Sequence, residues 1–138
     1  RDAKTNSVYI TSPKQNEPEP EMIQAEVGEV IEFTNSKIKM NELTYYTNSS
    51  GTRFANLNFD VYINSNPTYK SAWTAINFVD AYILSNGQEI RGSKTTKDEI
   101  KIGEWNNVNV TLLRVESADV TGVIVIDPTT NEKARVDF

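Results

Sequence analysis

The sequence contains no histidine and no cysteine. Without histidine, the commonest general base, the usual zinc ligand and every Ser-His-Asp arrangement are missing. Without cysteine there is neither a disulfide framework nor a thiolate nucleophile; this leaves the compartment open, because secreted domains also do without it. No apolar run approaches the ~18 residues of a membrane-spanning helix. Positive charge is also scarce, with 14 Lys and Arg against 19 Asp and Glu and a formal net charge of −5. An acidic chain without a basic cluster is repelled by nucleic-acid phosphates and anionic lipid, so neither is an expected partner. Together these absences point away from an enzyme, and no cofactor or metal is expected.

What is present fits one small domain. A chain of 138 residues holds one ordinary core, and 38% apolar with 24% charged residues gives a polar-surfaced fold. Three of the five prolines and three glutamates crowd into SPKQNEPEPEM, residues 12–22. Such a stretch favours extended, solvated backbone and resists a helix. Residues 1–26 are therefore read as a short strand, VYIT at 8–11, followed by an acidic Pro-rich linker or loop. The start at Arg1, without an initiator Met, fits removal of an upstream signal or lipid anchor.

From Val27 the dominant signal is period two, interrupted by Asn, Gly, Ser and Pro clusters. In ANLNFDVYIN, Leu57, Phe59, Val61 and Ile63 share one face, while Asn56, Asn58, Asp60 and Tyr62 share the other. That is a half-buried strand. EVIEF and KIKM flank Thr34-Asn35-Ser36, a short hairpin loop, and the apolar parity changes after Met40, which predicts a bulge near Asn41. Asn48 to Gly51 makes the next turn. INFVDAYIL (76–84) reads as a strand ended by Ser85-Asn86-Gly87, a hairpin signal. NVNVTLLRV (107–115) alternates, TGVIVID (121–127) is β-branched on both faces and thus central, and ARVDF supplies a last strand. The expectation is an all-β fold over residues 27–138: an immunoglobulin-like antiparallel β-sandwich of about 8–10 short strands.

Val27-Gly28-Glu29 is echoed by Ile102-Gly103-Glu104. The order of EVGEVIEFTNSKIKMNEL, FANLNFDVYINSNP, FVDAYILSNGQEI, IKIGEWNNVNVTLLRV and GVIVID resembles the DUF4352 family of telokin-like, immunoglobulin-fold domains from bacterial lipoproteins and secreted proteins. The resemblance covers roughly residues 27–127 and departs from the family at Ile102, where a proline is usual, and at Ser85-Asn86, where the hairpin usually has Asp. It implies an extracytoplasmic setting, lipid-anchored at the cell surface or secreted. It also implies an interaction or accessory role without catalytic residues, and a partner that is a protein or a cell-envelope component. Membrane association would come only through an upstream lipid anchor.

Candidate chemistry is thin. Asp60, Asp80, Asp98, Glu99, Glu104 and Asp127 are available for paired-carboxylate catalysis, but nothing pairs any two, and surface charge is the reading preferred. Ser36-Lys37 and Ser93-Lys94 lie in turn-like stretches where lysine stays charged. Asn86, Gln88 and Glu89, or Asp98 and Glu99, offer oxygen ligands for calcium, yet turn chemistry accounts for the asparagine without a metal. The sequons at Asn48 and Asn109 matter only in a eukaryotic secretory setting. Sugar binding needs exposed aromatic platforms; the pool is Trp73, Trp105, Tyr45, Tyr46 and Tyr69. Tyr69 and Trp73, from a loop beside the polar face of the Leu57 strand, are the ligand-binding candidates, although a core or loop-anchor role is the commoner one for such aromatics. Trp105, following a Gly-Glu strand start, is expected to be an anchor at the sandwich end. The preferred function is a non-enzymatic interaction domain acting through loops or a strand edge, with a carbohydrate-binding module as the alternative.

Overall fold

Alternating apolar residues in the strands set two faces, and two sheets formed this way close on each other. The computed structural model describes residues 22–64 and 73–138. The strand expected at 8–11, the Pro-rich stretch as far as Glu21, and Tyr69 lie outside these residues. The strands are β1 (Ile23–Glu26), β2 (Val30–Glu32), β3 (Ser36–Thr47), β4 (Arg53–Ile63), β5 (Trp73–Thr74) and β6 (Val79–Leu84). They continue with β7 (Glu89–Ile90), β8 (Lys94–Thr95), β9 (Glu99–Ile100), β10 (Trp105–Leu112), β11 (Val120–Ile126) and β12 (Lys133–Asp137). One five-stranded sheet has the order β2-β3-β4-β10-β8 and the other β1-β12-β11-β6-β7, with a short β9-β5 pair beside them. The chain is an all-β sandwich, with one 3-10 turn, Ala75–Phe78, and no α-helix among the described residues.

The core lies between the sheets. Leu57, Phe59, Val61, Val108 and Val110 from one share a core with Tyr82, Val123 and Val125 from the other and with Phe78 of the 3-10 turn, all of them buried. β11 lies between β12 and β6 and is buried on both faces over most of its length, as its β-branched run required. The predicted bulge is present: the β3–β4 register shifts between Met40 and Glu42. The Ser85–Gly87 turn is also present; Leu84 N–H donates to Gln88 O at 2.9 Å, Gly87 N–H donates to Leu84 O at 2.8 Å, and Gly87 adopts φ 89°.

Three details differ from the sequence reading. Ile23–Glu26, assigned to the linker, is an edge strand paired in parallel with β12. Residues 76–78 of INFVDAYIL are a 3-10 turn, because Thr74 and Asn77 close a reciprocal cap there, Asn77 Oδ1 accepting from Thr74 N–H at 3.0 Å. Asp127, read as surface charge, is fully buried. It follows the apolar strand β11 and has the β2–β3 turn for its solvent. Its Oδ2 accepts from Ser36 Oγ at 2.9 Å and from Asn35 N–H at 3.2 Å, and its Oδ1 accepts from Thr129 N–H and Oγ1 at 2.9 and 2.6 Å. This carboxylate ties the two sheets together at one end. At the other end Tyr45 Oη accepts from Val120 N–H at 2.8 Å, and Arg53 stacks on the Tyr45 ring while pairing with Asp119 at 2.5 Å.

Candidate binding face

The outward positions of β3, β4 and β10 form five cross-strand rows. Tyr46 faces Phe54, then Thr44, Asn56 and Thr111 form a row, then Glu42, Asn58 and Asn109. Lys39, Asp60 and Asn107 follow, and Lys37, Tyr62 and Trp105 complete the series. The bulge at Asn41 makes this possible, because without its parity change Glu42, Thr44 and Tyr46 would point into the core.

The middle rows are joined by amides. Asn41 Nδ2 donates to Asn58 Oδ1 at 3.0 Å, and Asn58 Nδ2 donates to Asn109 Oδ1 at 3.0 Å. Asn56 Nδ2 also reaches Asn109 Oδ1, at 2.9 Å, and Asn107 Nδ2 donates to Asp60 Oδ1 at 2.7 Å. Aromatic pairs close both ends. Tyr62 and Trp105 have ring centroids 5.7 Å apart, and Tyr46 and Phe54 5.5 Å. Trp105 and Tyr46 are each 47% exposed. Lys37 Nζ lies 5.8 Å from the Tyr62 ring centroid. Lys39 shares a row with Asp60, Lys37 is met by Glu32 of the edge strand β2, and Glu42 stands in the Asn58 row.

Beside Asn109 and Thr111 the face runs into a depression of about 230 Å³ lined also by Thr95, Thr96, Lys97 and Asp98. Asp98 Oδ2 accepts from Asn109 N–H at 2.7 Å, which fixes this wall to β10. A wider depression, about 990 Å³, lies at the β1–β12 edge between Gln24 and Phe138. It carries no functional reading.

The other outer face is different in kind. Asp80 sits between Arg91 at 2.7 Å and Lys133 at 3.3 Å, Arg91 also meets Glu89 at 2.5 Å, and Arg135 meets Asp137 at 2.7 Å. Its charges are paired with one another.

The two tryptophans stand in different surroundings. Trp73 is half-buried in β5, packed against the core with Phe78 edge-on at 6.3 Å. It is not among the outward positions of β3, β4 and β10, and its expected companion Tyr69 lies outside the described residues. Trp105, expected as an end anchor, is exposed on the amide face. The signal for this was parity: Trp105 shares its side of the strand with Asn107 and Asn109, opposite Val108 and Val110. The Gly-Glu echo does mark strand starts, since Gly28 and Gly103 both have positive φ, 91° and 86°. Each donates its N–H to a neighbouring strand, to Met40 O and Ile63 O respectively.

The remaining candidates serve the framework. Asn86 Oδ1 accepts from Gln88 N–H in the hairpin turn, and Ser36 serves Asp127. Tyr82 Oη donates to Ser93 O at 3.0 Å and accepts from Arg114 N–H at 3.1 Å; burial raises its pKa above the ordinary tyrosine value. Glu132 Oε1 accepts from Thr130 Oγ1 at 2.7 Å and from Thr34 N–H at 2.8 Å, and these bonds, the Thr130 one foremost, lower its pKa. Among the described residues no group of three or more acidic side chains is placed to hold a metal ion, and no helix is long and apolar enough to cross a membrane.

Among solved structures, the chain is similar to an uncharacterized β-sandwich protein from Clostridium difficile. The TM-score is 0.55 at 11% identity, over 91% of this chain and 99% of that one. The two share a β-sandwich. At that identity the likeness concerns the fold alone. No family model matches the sequence, and no curated protein matches it.

Proposed function

We propose that this chain is a non-enzymatic, extracytoplasmic interaction domain of the telokin-like DUF4352 kind, carried by a bacterial cell-surface lipoprotein or secreted protein. It holds a cell-envelope component on the outer face of β3, β4 and β10. The observation that carries this reading is the concentration of asparagine on one sheet face. Asparagine is depleted in strands because its side chain competes for backbone hydrogen bonds and packs poorly on a pleated surface. Asn56, Asn58, Asn107 and Asn109 break that preference at adjacent positions of two central strands. Departures from local propensity concentrated in one place are characteristic of functional surfaces.

The carboxylates favour binding over catalysis. Asp60 is bonded to Asn107, Asp98 to the backbone of Asn109, and Asp127 is saturated between the sheets. The row arrangement moves the contact from loops or a strand edge to the sheet face. The test uses the labelled 138-residue chain on purified envelopes of the producing organism. Trp105→Ala and Asn107→Ala are each expected to weaken binding about tenfold, ~1.4 kcal/mol, with the circular dichroism spectrum unchanged. Undiminished binding by both variants would rule this face out.

A further inference from the structure

We infer that the ligand of this face is a linear, uncharged polysaccharide lying along β4, with one sugar ring on Trp105 and Tyr62 and another near Tyr46 and Phe54. This rests on the face being the binding surface and adds the class of ligand. Three features select it.

The first is the order of chemistry across the surface. A protein partner is ordinarily met by an apolar centre inside a polar rim. Here the arrangement is inverted: amides occupy the middle rows and the aromatic pairs stand at the two ends. A sugar chain suits this order, because its hydroxyls both donate and accept, as each amide does, while its C–H faces sit against the electron-rich faces of aromatic rings.

The second is charge. On β3, β4 and β10 the two lysines, Lys37 and Lys39, are matched in number by Glu42 and Asp60, and Glu32 of the edge strand β2 stands in the Lys37 row, so the face offers no basic excess to an anionic chain. The third is extent. From Phe54 to Tyr62 the rows run roughly 27 Å at about 3.4 Å per residue, with equivalent positions every second residue. A repeating surface of that length matches a repeating polymer better than one small sugar. The depression at Thr95, Thr96, Asp98 and Asn109 adds a pocket for a substituent at its side.

Native affinity electrophoresis of the full chain tests this, with hydroxyethyl cellulose, xylan, galactomannan or amylose in the gel and polygalacturonate as the anionic comparison. At least one neutral polysaccharide is expected to retard the protein and polygalacturonate not to. Trp105→Ala, Tyr46→Ala and Asn107→Ala should each weaken the retardation about tenfold or more. Glu89→Gln, on the opposite sheet, should leave it unchanged. The use of variants at both ends and in the middle keeps the test decisive if one of them fails to fold. Migration unaffected by every neutral polysaccharide overturns the inference, as does retardation that all three variants retain. If no polysaccharide retards the chain but Trp105→Ala and Asn107→Ala still lose envelope binding, the ligand class is wrong and the binding face stands. If envelope binding also survives both substitutions, the face falls with it.

Discussion

Removing the Asp127 carboxylate would take the acceptor from four hydrogen bonds at once, those of the Ser36 and Thr129 hydroxyls and the Asn35 and Thr129 amides. A buried charged acceptor is worth keeping only when its lone pairs are filled, and these are. Asp127→Ala is therefore expected to destabilise the fold by about 3 kcal/mol in urea unfolding; a loss under about 1 kcal/mol would show that solvent replaces the clamp. Tyr82 works the same way on a smaller scale. Tyr82→Phe leaves Ser93 O and Arg114 N–H without their hydroxyl and should cost about 1–2 kcal/mol at neutral pH. Because burial raises the Tyr82 pKa, the unfolded chain releases this proton first, and stability falls as pH climbs past the ordinary tyrosine value, ~10. That alkaline decline should flatten in Tyr82→Phe. Glu132 has the opposite sign: its lowered pKa contributes stability that is present above the ordinary glutamate value, ~4.3, and lost as pH falls through the folded pKa. Melting curves of Glu132→Gln across the acid range should show a shallower loss than those of the unaltered chain.

At the level of strands and turns, Gly28 shows how backbone geometry decides a role that side-chain chemistry suggests otherwise. A Cβ there would meet nothing within 4 Å, so Gly28→Ala tests conformation alone. With φ at 91°, the substitution should cost about 1–2 kcal/mol through left-handed strain. The amide rows predict a different outcome. Asn107→Val replaces a poor strand former with a good one at an exposed position, so stability should stay within about 0.5 kcal/mol even as ligand binding is lost. A large destabilisation would instead make the amides a framework device. Period two made the sheet architecture readable from the sequence, and the parity break at Met40 gave the bulge. Each is a local property of side-chain alternation. The binding rows required knowing that β10 pairs with β4 across some fifty residues of sequence, a long-range register that alternation in either strand does not specify. At Trp105 the Gly-Glu motif shared with Gly28 points to an end anchor, whereas the strand's own parity puts the ring on the outer face. Acidity alone reads Asp127 as exposed, whereas two of the four donors that make its burial tolerable come from a turn ninety or so residues away and only the Thr129 pair is local.

The molecule as a whole has two outer faces of different chemistry, one amide-lined without a basic excess, the other laced with ion pairs. Salt screens exposed charge and leaves stacking and neutral hydrogen bonds largely alone. Raising ionic strength tenfold should therefore change polysaccharide binding by less than about twofold, whereas attraction through charge would fall steeply. The same two-sheet body has a further property in how its β1 edge is paired. β1 and β12, the first and last of the described strands, run side by side in the same direction through the pairs Ile23 with Ala134 to Glu26 with Asp137. Tension applied between residues 22 and 138 pulls these strands in opposite senses along their length. The rungs between them are then sheared together and cannot be peeled one by one. A domain joined in this way resists stretching along the chain far better than it resists opening at the β6–β7 hairpin, and a single-molecule pull in the two geometries would show higher rupture force in the first.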